Sequence, residues 1–146
     1  MRRIVVVVST MALIVLVAGG VALAAIISGS NSPDVINGTA DNDQIAGSAR
    51  ADEINGRAGA DSLFGDSGSD TINGGAGSDN IQGGTGQDTL YGGDGNGDFV
   101  SVVDNSTNDT ASGGPGDNDI CVIDRINGER DNFTASCEIV LDTILD

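Results

Sequence analysis

Two consecutive nonapeptides near the middle of the chain set its architecture. They read G-G-A-G-S-D-N-I-Q (residues 74–82) and G-G-T-G-Q-D-T-L-Y (residues 83–91). In both, glycine fills the first, second and fourth positions, aspartate the sixth and an aliphatic residue the eighth. A fixed internal period indicates a repeat architecture, in which each unit packs mainly on its neighbours.

The same period extends in both directions from this pair. Large apolar residues recur every nine positions, at Ile36, Ile45, Ile54, Leu63, Ile72, Ile81, Leu90 and Phe99. Aspartate precedes the first seven of them by two residues, at Asp34, Asp43, Asp52, Asp61, Asp70, Asp79 and Asp88. Eight units therefore span residues 29–100.

The spacing also predicts the local conformation of each unit. Glycine-rich hexads favour bends with positive φ angles. The three residues that follow, such as 80–82, are expected to form a short strand whose middle side chain points inward. Each unit is then half a coil, so eight units predict four coils, with four short parallel strands on each of two sheets.

Composition narrows the function classes. The 146 residues include 22 acidic side chains, of which 19 are aspartate, against 6 arginines, for a net charge of -16. With 23 glycines, this bias points to tight turns and oxygen-rich cation sites. Nucleic acid is excluded as a partner because phosphates need basic side chains. The lack of histidine excludes most hydrolase and zinc sites, and no length remains for a catalytic domain, so we predict that the protein is not an enzyme.

Units four to seven resemble the hemolysin-type calcium-binding nonapeptide repeat of the repeats-in-toxin (RTX) family. The eight units cover about half of the chain. The resemblance implies an all-β fold, a right-handed parallel β-roll (β-solenoid), with Ca²⁺ held between the turns of units n and n+2. By that rule Asp61 pairs with the turn at 74–79, Asp70 with the turn at 83–88, and Asp79 with the turn at 92–98.

The resemblance also assigns the metal-binding residues. They are Gly56, Gly59, Asp61, Gly65, Gly68, Asp70, Gly74, Gly75, Gly77, Asp79, Gly83, Gly84, Gly86, Asp88, Gly92, Gly93, Gly95 and Asp98. Two departures stand out. Units one to three lack the second and third glycines, and Gly97 takes the expected aspartate position of the last turn, so that Asp98 comes one residue late.

The chemistry of these residues fits calcium. Ca²⁺ takes six to eight oxygens at ~2.3–2.6 Å, whereas Mg²⁺ demands a tighter octahedron and keeps its waters. Aspartate suits a small turn because its carboxylate lies one methylene from the backbone. The alternative is a metal-free repeat that folds through its strand ladders alone.

The first 24 residues read as a signal peptide. Arg2 and Arg3 precede an uncharged run from Ile4 to Ile27, and Ala22 and Ala24 form an A-x-A signal that predicts cleavage after Ala24. The alternative is an uncleaved membrane anchor. Either interpretation places the remaining chain outside the cytoplasm. Residues 25–28 are then a short linker.

Residues 101–146 are predicted to form an insertion, one degenerate repeat and a small C-terminal cap. Residues 101–108 are the polar insertion, and residues 113–120 return to the repeat with Ile120 in the apolar position. Cys121 and Cys137 predict one disulfide, with two buried free thiols as the alternative. The cap covers the exposed strand edges at the end of the solenoid.

These observations together predict a secreted or cell-surface protein whose folding is driven by Ca²⁺ bound in its Gly/Asp-rich turns. Calcium ions are its predicted partners, together with a cell-surface or matrix component. The alternative is an adhesion or matrix module that binds a glycan, ice or another surface through the outer faces of the roll.

Overall fold

The computed structural model describes residues 4–6, 14–16, 24–104, 106, 108–126, 129–134, 136–137 and 139–145. This part of the chain contains strands and no helix. The strands are β1 (Ile4–Val6), β2 (Ile14–Leu16), β3 (Ile26–Ser28), β4 (Val35–Asn37), β5 (Gln44–Ala46), β6 (Glu53–Ala58), β7 (Ser62–Ser67), β8 (Thr71–Ala76), β9 (Asn80–Thr85), β10 (Thr89–Asp94), β11 (Phe99–Ser101), β12 (Thr110–Ser112), β13 (Ile120–Ile126), β14 (Glu129–Arg130), β15 (Asn132–Phe133) and β16 (Ile139–Leu145).

Two sheets contain nearly all of these strands. One has the order β15-β12-β10-β8-β6-β4 and the other the order β14-β13-β11-β9-β7-β5-β3, with β16 beside β13. From β3 to β13, consecutive strands alternate between the sheets, and neighbours within a sheet pair in parallel. The predicted β-solenoid is therefore confirmed. It has about six turns rather than four, because coils also form before residue 29 and after residue 100.

A single column of side chains fills the space between the two sheets. Ile36, Ile45, Ile54, Leu63, Ile72, Ile81 and Leu90 are all buried, as the nine-residue period predicts. The column continues with Ile27 at one end and with Val100, Ala111 and Cys121 at the other. Only the middle residue of each short strand reaches this narrow interior, since side chains alternate between the faces of a sheet.

The assignment of Phe99 to this column was wrong. Its side chain is 39% exposed, whereas that of Val100 is fully buried. The turn from Gly92 to Asp98 is one residue longer than the seven turns before it, so the aspartate and the inward residue move together by one position. The turn from Gly113 to Asp119 has the same extra residue, and Cys121 rather than Ile120 faces inward.

The central strands are longer than three residues. Strands β6 to β10 have six residues each, because the first half of the following hexad continues the ladder. Residues 57 and 75 are paired in register, as are residues 75 and 93. In the hexads that β6 to β10 enter, the bend is therefore confined to the second half.

Both ends of the chain outside the eight units contain strands. Residues 26–28, within the segment expected as a linker, form β3 and pair with β5. The predicted leader lies mostly outside the described residues, apart from β1 and β2, which pair antiparallel. Among the described residues there is no helix that is long and apolar enough to span a membrane.

The predicted disulfide is confirmed. Cys121 and Cys137 are bonded, with their Cα atoms 5.7 Å apart. Both belong to the buried core. The bond therefore joins the interior of the last coils, where Cys121 occupies the position that isoleucine or leucine fills in earlier units.

Candidate metal sites

Aspartates of the sixth position form a hydrogen-bonded ladder along each edge of the solenoid. The backbone N–H of Asp61 donates to Oδ1 of Asp79 over 2.8 Å, and that of Asp70 donates to Oδ1 of Asp88 over 2.9 Å. The two residues of each pair are separated by two units, which is one full coil. From Asp43 onward, one carboxylate oxygen of each of these aspartates is thus used to lock adjacent coils in register.

The second carboxylate oxygen has no such role. Among the described residues, the buried Oδ2 atoms that have no hydrogen-bond partner belong to Asp52, Asp61, Asp70, Asp79, Asp88, Asp98 and Asp109. A buried carboxylate oxygen without a partner is costly unless something neutralises it. These atoms therefore mark the positions where a bound cation would be most stabilising.

With the exception of Asp109, each unpartnered oxygen faces the first glycine of its own turn. A Cβ atom on Gly56 would collide with Oδ2 of Asp61 and also with the carbonyl oxygen of Gly74 in the coil above. The absence of a side chain at Gly56 thus leaves room for a carboxylate and a carbonyl oxygen from two successive turns. These are the two turns that the sequence paired.

The same arrangement recurs at the other predicted pairs. Oδ2 of Asp70 and the carbonyl of Gly83 meet at Gly65, and Oδ2 of Asp79 and the carbonyl of Gly92 meet at Gly74. Oδ2 of Asp88 likewise faces Gly83, and that of Asp98 faces Gly92. The structure therefore places every predicted aspartate beside the first glycine of its turn.

The remaining predicted glycines line the bends above and below these oxygens. The fourth-position carbonyls of Gly59, Gly68 and Gly77 point at the α-carbons of the glycines one coil later, which are Gly77, Gly86 and Gly95. In the second position, the carbonyl of Gly75 likewise points at Gly93. Gly84, also in the second position, has a positive φ of 101°. Side chains would fill these gaps, so glycine keeps the stacked carbonyls within reach of one another.

Non-glycine residues adopt positive φ angles at turn positions where units six and seven have glycine. Ser48, Arg50 and Arg57 have φ angles of 83°, 83° and 82°, and Asp66 has a φ of 69°. L-residues adopt this region at a cost of about 1–2 kcal/mol. The turns of units three to five are therefore shaped like those of units six and seven, but under backbone strain.

The first two units differ from the later ones because a serine or a threonine donates hydrogen bonds to the aspartate carboxylate of the turn. Asp34 Oδ2 accepts hydrogen bonds from the backbone N–H of Ser30 (2.6 Å) and from its hydroxyl (2.9 Å). Asp43 Oδ2 accepts from the N–H of Thr39 (2.5 Å) and from its hydroxyl (3.0 Å). Serine and threonine replace the second glycine here and satisfy the oxygen that stays unpartnered in later turns.

Burial and mutual repulsion shift the titration of the later aspartates. Burial raises the pKa of Asp70 to about 7, and the charges of Asp88 and Asp52, one coil away on either side, add to the effect. Burial likewise raises the pKa of Asp79 to about 6, with contributions from Asp61 and Asp98. The hydrogen bond from the backbone N–H lowers each pKa without cancelling the rise. The turns therefore favour a proton or a cation beside each carboxylate.

Within the described residues, no three acidic, cysteine or histidine side chains converge on one point. Each turn contributes one buried ladder carboxylate, so a bound ion would take most of its ligands from backbone carbonyls. Ca²⁺ accepts such mixed oxygen shells with flexible geometry.

The ladder also includes residues that the sequence analysis missed. Asp109 and Asp119 are fully buried, and their Oδ1 atoms accept from the N–H groups of Asp88 (2.6 Å) and Asp98 (3.0 Å). A signal was present, since each stands two residues before a buried residue, Ala111 or Cys121. The changed turn lengths hid it from a strict nine-residue period.

The turn that ends at Asp109 has no glycine in its first position. The turn above Gly83 begins at Val102, whose side chain is buried in the core. Oδ2 of Asp104 accepts a hydrogen bond from the N–H of Gly86 over 2.8 Å. A carboxylate thus lies over the fourth-position glycine, where a carbonyl from the next coil stands in regular turns.

Comparison with known families agrees with this geometry. The family model described as RTX calcium-binding nonapeptide repeat (4 copies) matches residues 20–52, 37–72, 46–81, 73–96 and 102–121, which is more than half of the chain. No curated protein and no solved structure matches. The matched ranges extend beyond the eight regular units on both sides, as the coils of the structure do.

Proposed function

Since this chain belongs to the family of RTX calcium-binding nonapeptide repeat proteins, we propose that it is a non-catalytic, secreted or cell-surface protein whose folding is driven by Ca²⁺. The observation that carries the proposal is the row of buried Oδ2 atoms without partners. Those of Asp52, Asp61, Asp70, Asp79 and Asp98 each lie beside a glycine and a carbonyl of the next coil. Calcium would neutralise these carboxylates and connect successive coils through shared oxygen ligands.

The charge balance explains why folding would depend on the metal. Residues 25–146 carry 22 acidic side chains against 4 arginines. Without calcium, these charges repel one another most strongly in the compact state, where the ladder stacks one aspartate above another. A cation that binds only the folded chain shifts the equilibrium towards it by mass action.

The disulfide supports a location outside the cytoplasm. Cys121 and Cys137 are bonded in the buried core. Disulfides persist in oxidising compartments and are rare in the cytosol. Calcium is also more abundant outside cells than inside, so a chain that stays unfolded during export would fold on release.

The test is a calcium titration of the disulfide-bonded protein, followed by far-ultraviolet circular dichroism after removal of metal. We expect a transition from coil to β-structure with Ca²⁺, and none with the same concentrations of Mg²⁺. A spectrum that is already β-rich without metal and does not change with Ca²⁺ would contradict the proposal. The repeat would then be a metal-free scaffold.

A further inference from the structure

The first step of the aspartate ladder involves an alanine. Ala25 lies 18 residues before Asp43, and its backbone N–H donates to Oδ1 of Asp43 over 2.8 Å. Its carbonyl accepts a hydrogen bond from the N–H of Gln44, also over 2.8 Å. Both backbone groups of Ala25 are therefore held by residues that follow it in the chain. The neighbouring Ala24 is exposed.

Ala25 occupies the position of a ladder aspartate without having a carboxylate. A ladder member contributes its backbone N–H to the next coil and its carboxylate to the previous one. Ala25 contributes only the N–H, whereas Asp34, which begins the ladder on the other edge, keeps a carboxylate whose buried Oδ1 has no hydrogen-bond partner. Ala25 is buried to 4% exposure, and its methyl group suits that space.

The same alanine follows the bond at which the sequence predicts cleavage. The A-x-A signal of Ala22 and Ala24 directs hydrolysis to the peptide bond between Ala24 and Ala25. The first residue that the coil holds is thus the first residue that would remain after removal of the leader. Cleavage one residue later would remove the ladder's terminal donor.

We infer that removal of the leader makes the α-ammonium of Ala25 the terminal donor of the ladder, in an ion pair with the carboxylate of Asp43. Hydrolysis adds the hydroxyl of water to the carbonyl carbon of Ala24 and its hydrogen to the nitrogen of Ala25. The new amine takes a further proton from solvent. A neutral hydrogen bond thereby becomes a charge-assisted one at the same atoms.

This inference rests on the export part of the proposed function, while calcium binding does not depend on it. Asp43 is suited to the role because Thr39 satisfies its Oδ2 from within the same turn. The ammonium would neutralise Asp43, which is the first carboxylate on the edge of the solenoid that starts at Ala25. The turn Gly38–Asp43 lacks the second and fourth glycines of the later turns.

The first experiment is to express the full chain in an exporting host and measure the intact mass of the recovered protein. We expect residues 25–146 with one disulfide. A different starting residue, or a chain that keeps its leader in the membrane fraction, would overturn the inference. The calcium titration of the same sample is read separately, so failure of the processing step is distinguishable from failure of the calcium-driven fold.

The second experiment uses an unusual feature of the composition. The chain has no lysine, so the α-amine of the processed protein is its only primary amine. We expect acetylation of this amine by an N-hydroxysuccinimide ester to be about tenfold slower in calcium-loaded protein than in urea, because a pKa raised by one unit lowers the reactive unprotonated fraction tenfold. Equal rates in the two conditions would overturn the ion pair.

Two variants separate the ion pair from simple burial. Asp43→Asn is expected to restore fast acetylation of the folded protein. A chain that begins at Ala24 provides a control that does not disturb the fold, because its amine stands on an exposed residue outside the ladder. We expect this control to react at the unfolded rate and to unfold at a lower temperature than the chain that begins at Ala25. An equally slow reaction in the control would contradict the assignment.

Discussion

Oδ1 of Asp88 accepts a hydrogen bond of 2.9 Å from the backbone N–H of Asp70, and Oδ2 of Asp88 is buried without a hydrogen-bond partner. The two oxygens of one carboxylate therefore have different roles. One sets the register between coils, and the other is available to a cation. Because the aspartates from Asp52 to Asp109 repeat this division, the loss of one of these carboxylates affects both the coil stacking and the neighbouring metal site.

Asp70→Asn should weaken calcium binding, whereas Asp43→Asn should not. The Oδ2 of Asp70 has no hydrogen-bond partner, while both carboxylate oxygens of Asp43 accept hydrogen bonds, Oδ1 from Ala25 and Oδ2 from Thr39. We expect the calcium midpoint of folding to rise at least about tenfold in Asp70→Asn, within the range typical for loss of a supporting metal contact. Isothermal calorimetry would compare stoichiometry and affinity. Equal loss in both variants would indicate that all turns bind alike.

The metal-free protein should be more stable in acid than at neutral pH. Burial raises the pKa of Asp70 and of Asp109 to about 7 and that of Asp79 to about 6, from 3.8 in the unfolded chain. Between these values the folded state binds more protons than the unfolded state, so stability falls as pH rises. This contribution is fully present below pH 3.8 and is lost as the pH passes through 6 to 7.

Far-ultraviolet circular dichroism of metal-stripped protein from pH 8 to pH 4 tests this dependence. We expect β-structure to increase as the pH falls through 7 to 6, and to depend less on pH when calcium is present. A loss of β-structure on acidification would mean that the aspartates are stabilised as carboxylates even without metal.

Arg57→Gly should stabilise the roll. Arg57 occupies the second position of its turn with a φ of 82°, and the equivalent Gly75 has a φ of 109°. Relief of the left-handed strain is worth about 1 kcal/mol, partly offset by the greater freedom of glycine in the unfolded chain. Arg57→Ala is the matched control, because it removes the charge and keeps the strain. Chemical denaturation in calcium should show a gain for glycine and none for alanine.

Val100→Ala should destabilise the protein far more than Phe99→Ala. Val100 is fully buried, whereas the larger Phe99 is 39% exposed. Removal of two buried methyl groups costs about 1–3 kcal/mol, while a partly exposed ring contributes less. Thermal unfolding in calcium would rank the two variants. The reverse order would restore Phe99 to the core and contradict the shifted register.

The sequence by itself determined the coil. Its nine-residue period specifies which large side chain of each strand faces inward, because side chains alternate between the two faces of a strand and the residues on either side of each aliphatic position face outward. The aspartates and glycines of units four to seven specified the turns in the same way, and their resemblance to the RTX repeat implied the predicted metal-binding residues. Local repetition was sufficient here, since each unit meets only the units one coil before and after it.

Tertiary structure decided the features that depend on contacts between coils. The extra residue in the turn from Gly92 to Asp98 could have been absorbed anywhere in the unit. Only the ladder contact with Asp79 shows that Asp98 keeps its place, so that Val100 turns inward. The hydroxyl of Thr39 and the ladder role of Ala25 were likewise hidden, because hydrogen bonds to a carboxylate depend on distances in space that a repeat pattern does not record.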